Sequence, residues 1–381
     1  MSHATRRPEA PTIVLDARWW DVGGTGSVTR SLVRGLAEVG PDQRWLVWGP
    51  TGAVDATWPG AGNVATEVHP ASCFGQRQAF RVPKADLVVH PHQTRPAHRR
   101  PAASFVLDLI QLQHPNRVVR RAMAERLAAT LRRADVLFAI APSVRDEVAA
   151  TFAVDPADIR VLRLPIDRRA ALRIEAIRRL APDDAVAPPP RTVLAVGRFA
   201  PHKNHARLIS AFAASRFAAT GGQLHLAGGR PEDLEWDQPS LPKGVRVLGE
   251  LTRSELDEAM AGASALVQPS LREGYGLPVA EALAAGIPVL SSPVPAISEA
   301  GLSGVPTFDP RSVSAITAAL DETIELVESG RYWDSVDRAT WLASLPTDAD
   351  LARQVIAGIA PVLAAAPGHR AIGTPRTLAA R

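Results

Sequence analysis

The chain has 381 residues, of which 46% are hydrophobic and 22% are charged, and this combination predicts a globular protein of two domains. Its one cysteine, Cys73, excludes an intrachain disulfide framework, and neither an apolar N-terminal signal nor an apolar run of about 18–20 residues is found, so a cytoplasmic location is expected. The formal net charge is only +4, and 2 Tyr and 9 Phe offer no platform for stacked bases, so nucleic acid is not an expected partner.

The first predicted elements are a buried strand over residues 12–19, a glycine-rich loop over 21–27 and an amphipathic helix over 28–39. Three glycines of the loop would let backbone amides approach a ligand closely, and they are Gly23, Gly24 and Gly26. The loop half-matches the dinucleotide fingerprint, but Thr29 stands at the third glycine position and the next strand ends without an acidic residue. A nicotinamide site is therefore not expected.

Further strands at residues 86–90 and 104–108 alternate with predicted helices, which indicates a doubly wound sheet. Three histidines lie at or just after the first of these strands, at His90, His92 and His98, but no carboxylate or cysteine completes a metal site. We therefore expect no metal. After a helix at 168–180, four prolines and two acids over residues 181–190 predict a linker.

The first half of the chain is basic, since residues 1–190 hold 26 Lys and Arg against 19 Asp and Glu. Many of these arginines lie on a helix predicted at 117–134. A solvated helix surface is the preferred interpretation. Contact with an anionic acceptor or with the inner face of a membrane is the alternative.

The second half opens with a strand at 191–199, a tight loop and a helix that begins at His205, with Asn204 as its N-cap. Arg198 and Lys203 lie on either side of this strand-to-helix loop. Their charges and the free amides of the helix start predict a compact diphosphate pocket.

A second βαβ unit is predicted over residues 265–299, with its ligand side at the carboxyl ends of its strands. Its helix is expected to begin at Pro278, to carry Glu281 in its first turn, and to stop at Gly286. The free N–H groups at the start of this helix are expected to bind a phosphate. Glu273, on the preceding loop, is therefore interpreted as an acceptor for the hydroxyls of a sugar or ribose.

The E-x7-E pattern EGYGLPVAE, preceded by GRFAPHKN about seventy residues upstream, resembles the retaining glycosyltransferases of group 1 with the GT-B architecture, mannosyltransferase-like members above all. The resemblance implies an α/β fold of two Rossmann-like, doubly wound domains that face each other across a cleft. Residues 1–180 would form the acceptor-side domain, 181–190 the linker and 191–340 the nucleotide-sugar domain. Residues 341–381 would return to the first domain as a terminal helix and end in a frayed tail.

The resemblance also assigns roles to residues. Glu273, Arg198 and Lys203 would be catalytic, and Glu281 would hold the ribose. The other implied substrate-binding residues are Gly23, Gly24, Gly26, Asp108, Gly274, Tyr275, Gly276 and Leu277. The family has a His-Asp pair where this chain has Leu107 and Asp108, so the acceptor chemistry of relatives does not transfer directly.

The implied reaction moves a hexose from a nucleotide-diphosphate sugar, such as GDP-mannose or UDP-glucose, to an acceptor hydroxyl with retention and with neither metal nor cofactor. Polysaccharide, glycolipid or glycoside biosynthesis is the expected setting, with an acceptor that is lipid-linked or anionic as one alternative. Residues 348–350 imitate a metal-binding DxD motif but are expected to start a helix. A catalytically impaired nucleotide-sugar-binding or partner-binding protein, and a sugar-nucleotide epimerase of the same fold, remain as alternatives.

Overall fold

The computed structural model describes residues 10–49, 64–68, 82–94, 98–180, 191–299 and 301–365. The predicted linker at 181–190 and the last residues, 366–381, lie outside these ranges. The chain divides into two compact units, one of Met1–Pro165 with Pro346–Arg381 and one of Ile166–Leu345. Each unit holds one parallel sheet, which confirms the predicted α/β fold with two doubly wound domains.

The first unit is built on a sheet of seven parallel strands: β1 (Thr12–Asp16), β2 (Arg44–Gly49), β3 (Val64–Val68), β4 (Leu87–His90), β5 (Ala102–Val106), β6 (Val136–Ala139) and β7 (Ile159–Val161). Their order is β3-β2-β1-β4-β5-β6-β7, so the winding direction switches between β1 and β4. Every residue of β4, β5 and β6 is buried, as expected of strands that helices cover on both faces. The accompanying helices are α1 (Gly23–Val39), α2 (Arg117–Arg133) and α3 (Pro142–Phe152).

Helix α1 begins five residues earlier than the sequence predicts. The three glycines expected in a loop lie in its first turns instead, with Gly23 and Gly24 exposed and Gly26 buried. A Cβ atom on Gly26 would lie 2.2 Å from the carbonyl oxygen of Trp20. Only glycine leaves room for the backbone of Trp20 at this point of α1. The prediction that Gly26 lies in an open, ligand-binding loop is therefore wrong.

The second unit alternates helices and strands: α4 (Arg168–Leu180), β8 (Thr192–Val196), α5 (His205–Ala213), α6 (Arg216–Ala219), β9 (Gln223–Ala227), β10 (Val245–Gly249), α7 (Arg253–Ala261), β11 (Ala265–Gln268), α8 (Leu277–Ala284), β12 (Val289–Ser291), α9 (Pro295–Ser298), α10 (Val313–Glu328) and α11 (Arg338–Ser344). The strands are all parallel in the order β10-β9-β8-β11-β12. The switch in winding therefore lies between β8 and β11, whose carboxyl ends are neighbours.

The second unit begins at Ile166, before helix α4, whereas the sequence predicted a boundary after this helix, at residue 180. Ala171 and Ile174 of this helix are buried in the core of the second unit together with Met260 and Leu283. The proline-rich composition of 181–190 marks a break in regular structure, but the apolar face of α4 decides which unit the helix joins. The second boundary lies between Leu345 and Pro346, close to the expected residue 340.

The last described helix, α12 (Asp348–Ala364), belongs to the first unit. It packs on α1, where a Cβ atom on Gly35 would lie 1.9 Å from the carbonyl oxygen of Asp348. The Arg34 Nε atom lies 2.6 Å from Asp348 Oδ2. Thr347 and Asp350 form a reciprocal capping box, which confirms that residues 348–350 start a helix.

None of the helices in the described ranges combines the length and the apolar composition needed to span a bilayer.

Candidate functional site

The loops after β8 and β11 meet at the switch point of the second sheet. The backbone N–H of Leu271, after β11, donates to the carbonyl oxygen of His202, after β8, at 2.7 Å. The carboxyl edge at such a point is where doubly wound sheets bind their ligands. The two motifs that the sequence sets seventy residues apart are therefore adjacent in the structure.

Lys203 and Glu273 form the centre of this edge. The Lys203 Nζ atom lies 2.6 Å from Glu273 Oε1, and the two side chains are 15% and 9% exposed. The same carboxylate oxygen accepts from Gln268 Nε2 at 2.7 Å and from Ser270 Oγ at 2.6 Å. Three donors on one oxygen fix the Glu273 carboxylate, and two of them come from the end of β11 and its loop.

The aliphatic part of Lys203 lies over Gly197, where the backbone has a φ of 153°. A Cβ atom at this position would lie 3.2 Å from Lys203 Cε. Arg198 is exposed on the same loop. Burial lowers the pKa of His202, the charge of Lys203 lowers it further, Glu273 opposes this shift, and Arg198 adds a smaller lowering.

Asn204 was predicted to cap helix α5, but its side chain makes other contacts. It precedes α5, but it has a left-handed φ of 63° and its side chain does not cap the helix. Its Nδ2 atom instead donates to the carbonyl oxygens of Pro269 at 2.9 Å and Pro310 at 2.7 Å. Asn204 therefore ties the loop after β8 to the loop after β11.

The loop between Glu273 and α8 leads into the helix through Gly276, which has a φ of 101°. A Cβ atom here would lie 3.0 Å from Val294 Cγ2, so both the conformation and the space require glycine. Gly274 is buried, and the Tyr275 carbonyl oxygen accepts from the backbone N–H of Ala296 at 2.8 Å. These contacts place the first amides of α8 at the same edge as Lys203.

Leu277 is the first residue of α8, so Pro278 is the second and Glu281 stands beyond the first turn. The expected first-turn position of Glu281 is thereby corrected. Gly286 follows the helix with a φ of 71°, as predicted.

Glu281 is only 6% exposed and forms its own ion pair, with Arg253 Nη1 3.0 Å from Glu281 Oε2. Burial raises the pKa of Glu281, and Arg253 counteracts that rise. Of the four predicted charged residues, the structure joins Lys203 and Glu273 directly, leaves Arg198 exposed on the same loop, and pairs Glu281 with a partner that the sequence did not suggest.

The other predicted residues of the first unit lie on helix α1 and on the segment that follows β5. Asp108 Oδ1 accepts from the backbone N–H of Ile110 at 3.0 Å and so shapes the turn after β5. Leu107, which stands where the family has histidine, is 8% exposed and belongs to the core. Its backbone N–H donates to Gln93 Oε1 at 3.3 Å, so the loop after β4 lies beside it.

The histidine cluster does have a carboxylate, which corrects the sequence interpretation. Asp16, at the end of β1, lies with Oδ2 2.9 Å from His90 Nδ1 and 3.3 Å from His92 Nε2. No local pattern signals this contact, because Asp16 is 74 residues away from His90 and only the pairing of β1 with β4 brings the two together.

Arg18 already neutralises this buried acid. Its Nε and Nη2 atoms bind the two Asp16 oxygens at 2.8 and 2.7 Å. Burial would raise the pKa of Asp16, but hydrogen bonds from Arg18, His90 and His92 hold it well below the usual range. A metal ion at these ligands would compete with the guanidinium for the same oxygens, so the cluster fits a buried ion pair better than a cation site.

Comparison with known proteins agrees with this geometry. Residues 178–336 match the family model described as glycosyl transferases group 1. Glycogen synthase of Mycobacterium tuberculosis (strain H37Rv) is 27% identical over 355 residues, which cover 80% of this chain and 83% of that protein. The GDP-mannose:cellobiosyl-diphosphopolyprenol alpha-mannosyltransferase of Komagataeibacter xylinus is 30% identical over 195 residues, which cover 47% of this chain and 49% of that enzyme.

Solved structures share the fold over nearly the whole chain. Sucrose-phosphate synthase from Thermosynechococcus elongatus has a TM-score of 0.67 at 19% identity and covers 93% of this chain and 100% of its own. Anabaena Alr3699/HepE in complex with UDP-glucose has a TM-score of 0.66 at 17% identity, over 92% of this chain and 100% of its own. The two doubly wound sheets are those of the GT-B fold, and within it residues 178–336 are similar to the group 1 glycosyl transferases.

Proposed function

We propose that the protein transfers a hexose from a nucleotide-diphosphate sugar to an acceptor hydroxyl, with retention at the anomeric carbon. The observation that carries this proposal is the contact between Lys203 and Glu273 at the switch point of the second sheet. In this proposal Lys203 would be the cation that binds the diphosphate, and Glu273 the carboxylate that binds the sugar hydroxyls. The Komagataeibacter relative is named for GDP-mannose, and the Anabaena structure holds UDP-glucose, which supports a donor of this class.

The departing nucleoside diphosphate develops charge on its β-phosphate. Lys203, Arg198 and the first amides of α8 would stabilise that charge without a metal ion, and removal of one such donor costs about 10²–10³ in rate. An ammonium group has three donors, so Lys203 can bind a phosphate oxygen and still hold Glu273. The catalytic role proposed for Lys203 therefore needs no rupture of the observed ion pair.

The two glutamates would act on different parts of the donor. Glu273, fixed by Gln268 and Ser270, would accept hydrogen bonds from sugar hydroxyls beside the reacting carbon. Glu281 would accept hydrogen bonds from the ribose. We propose that Gly23, Gly24 and Asp108 serve substrate binding from the first unit.

The acceptor is proposed to be a glycan or a lipid-linked glycan. The Komagataeibacter relative is named for a cellobiosyl-diphosphopolyprenol acceptor. Helix α2 exposes Arg117 and Arg121 next to Val118, whose side chain is 78% exposed. These features support peripheral contact of a cytoplasmic protein with an anionic membrane face.

A thermal-shift screen against nucleotide sugars tests the proposal. A true donor binds the folded state only, so at a hundredfold excess over its Kd it adds about 2.7 kcal/mol to the unfolding free energy. The melting temperature rises as a result. UDP-glucose and GDP-mannose are the first two compounds to compare. Lys203→Met should abolish the shift, and Lys243→Met, an exposed lysine of the same unit, should retain it. Absence of any shift across the panel would contradict the proposal.

One observation favours a second function, a nucleotide-sugar-binding protein without transfer. Leu107 fills the core where the family has the histidine of its acceptor site. Donor binding and donor consumption separate the two functions. Release of nucleoside diphosphate in the presence of glycan acceptors supports the transferase, and binding without release supports the alternative.

A further inference from the structure

Four alternating charges run across helices α4, α7 and α8 of the second unit. Arg173 Nε lies 2.8 Å from Asp257 Oδ2, Arg253 Nε lies 2.8 Å from Asp257 Oδ1, and Arg253 Nη1 lies 3.0 Å from Glu281 Oε2. We call this series, Arg173–Asp257–Arg253–Glu281, the charge chain. Its last member is the glutamate proposed to hold the ribose.

The acids of the charge chain are buried and the arginines are not. The side chains of Asp257 and Glu281 are 3% and 7% exposed, whereas those of Arg173 and Arg253 are 49% and 37% exposed. A buried carboxylate stays ionised only if it is paired. Arg253 is the cation between the two buried acids; Asp257 is also paired with Arg173, whereas the ion pair of Glu281 is with Arg253.

Other charged groups around Glu281 oppose its ionisation or act elsewhere. Asp167, before α4, and Asp257 both act to raise the pKa of Glu281. Arg338 of α11 binds the carbonyl oxygens of Leu283 and Ala284, at the far end of α8. Strands β11 and β12 and helix α9 contribute no charged residue. Arg253 is therefore the group that balances the acids near Glu281.

The local structure holds Arg253 in place. It is the first residue of α7 and lies inside the Thr252–Glu255 capping box. Its guanidinium bonds Glu281 Oε2, and within the described ranges no hydrogen bond to Oε1 is found. One oxygen is thus fixed by the protein, and the other can accept a ligand hydroxyl.

We propose that Arg253 is a positioning residue for the donor, which holds the Glu281 carboxylate ionised and oriented toward the ribose hydroxyls. This inference rests on the proposed function, because it assigns the ligand of Glu281. It adds a residue outside both sequence motifs to the determinants of donor affinity.

The pH dependence of donor binding follows from this role. Both oxygens of a carboxylate can accept hydrogen bonds from hydroxyl groups only while the carboxylate is ionised. The affinity for the donor should therefore fall as the pH drops through the pKa of Glu281. Asp167 and Asp257 act to raise the pKa of Glu281, and removal of Arg253 takes away the cation that counteracts them, so this pKa should rise further. The loss of affinity then begins at a higher pH.

Calorimetric titration of UDP and GDP between about pH 5.5 and pH 8.5 tests the inference on the full chain. For the nucleotide that binds, Arg253→Gln should bind about tenfold more weakly near pH 6, with a difference that narrows as the pH rises. Arg173→Gln is the matched control, because it removes an arginine from the charge chain but keeps Arg253 on Glu281. It should follow the wild-type profile.

Glu281→Gln separates failure of this inference from failure of the proposed function. If Glu281→Gln binds weakly at every pH but Arg253→Gln follows the wild-type profile, the role of Arg253 is refuted and the ribose role of Glu281 stands. If Glu281→Gln binds like the wild type, the ribose assignment itself is wrong.

Arg253→Lys keeps the inference testable if Arg253→Gln does not fold. Lysine keeps the charge but cannot span Glu281 and Asp257 with a planar fork. We expect the wild-type pH profile with several-fold weaker binding. Wild-type affinity in Arg253→Lys would show that the orientation of Glu281 does not depend on Arg253.

Discussion

Lys203 and Glu273 form a tightly held ion pair. The carboxylate is 9% exposed and accepts hydrogen bonds from three donors on one oxygen, so its position is fixed by the protein itself. Gln268 and Ser270 would still hold Glu273 in a variant without Lys203. The loss of Lys203 should therefore impair the chemistry more than the fold.

Lys203→Met should lower turnover with any accepted nucleotide sugar by about 10²–10³, because it removes a donor from the developing diphosphate charge. Steady-state kinetics measure the effect, with Lys243→Met as control. Turnover of Lys203→Met within a factor of about two of the wild type would contradict a role at the leaving group.

His205 gives a prediction about acid stability. It is 5% exposed, and burial together with the charge of Lys203 lowers its pKa to about 4. The unfolded chain binds a proton near pH 6.5, so between those values the unfolded state holds more protons than the folded state.

The unfolding free energy should accordingly fall by about 3 kcal/mol as the pH drops from 6.5 to 4 through this residue. Urea unfolding over that range measures the effect, and His205→Gln should show a shallower pH dependence. An equal slope in the wild type and His205→Gln would show that another group controls acid stability.

At the scale of elements, short loops between strands and helices build the site. Asn204 joins the loop after β8 to those around Pro269 and Pro310, and Gly276 admits the sharp entry into α8. Asn204 and Gly276 both have positive φ values, a backbone conformation that is strained for most residue types other than glycine and asparagine. The site geometry therefore depends on backbone conformation as much as on charged side chains.

Asn204→Asp tests this use of a buried amide. Aspartate tolerates the left-handed conformation, but its carboxylate would face two carbonyl oxygens in place of a donor. We expect a loss of about 1–3 kcal/mol in unfolding free energy at pH 7, since Arg207 can still donate to one carboxylate oxygen but the other oxygen is set against two carbonyl acceptors.

Asn116→Asp is the matched control for Asn204→Asp. Asn116 is exposed, and its Oδ1 atom accepts from the backbone N–H groups of Val118 and Val119 at the start of α2. Aspartate keeps that acceptor and favours a helix start, so stability should change by less than about 0.5 kcal/mol. Equal losses in the two variants would refute the donor role of Asn204.

The sequence predicted the parts of the fold and site that local patterns specify. Apolar runs marked the strands, and the parallel topology predicted that Lys203 and Glu273 would meet at one edge. It did not predict that Arg253 would pair with Glu281, that Asp16 would join His90, or that α4 would pack with the second unit. These partners are chosen by packing between distant segments, which no local period encodes.

At the scale of the whole molecule, each unit is stabilised by its own core, and the chain returns to the first unit at its end. Helix α12 buries Leu351, Val355 and Ile359 there. Gly358 lies against Phe138, where a Cβ atom would be 2.5 Å from the ring. The first unit therefore depends on residues from both ends of the sequence.

Gly35→Ala should destabilise the first unit, because its methyl group would overlap the backbone of α12 at Asp348. Overpacking of this kind costs about 1–3 kcal/mol. Gly262→Ala is the control, since Gly262 has a φ of −80° and an added Cβ atom there would lie 3.6 Å from the carbonyl oxygen of Glu258, an ordinary contact distance. Thermal unfolding should show a larger loss for Gly35→Ala, and equal losses would show that the helices do not pack as described.

If the carboxyl edge between β8 and β11 holds the diphosphate of a nucleotide sugar, a crystal structure with the nucleoside diphosphate that raises the melting temperature will reveal it there. We predict a β-phosphate oxygen about 3 Å from Lys203 Nζ and ribose hydroxyls on Glu281. A nucleotide bound away from both residues would refute this site.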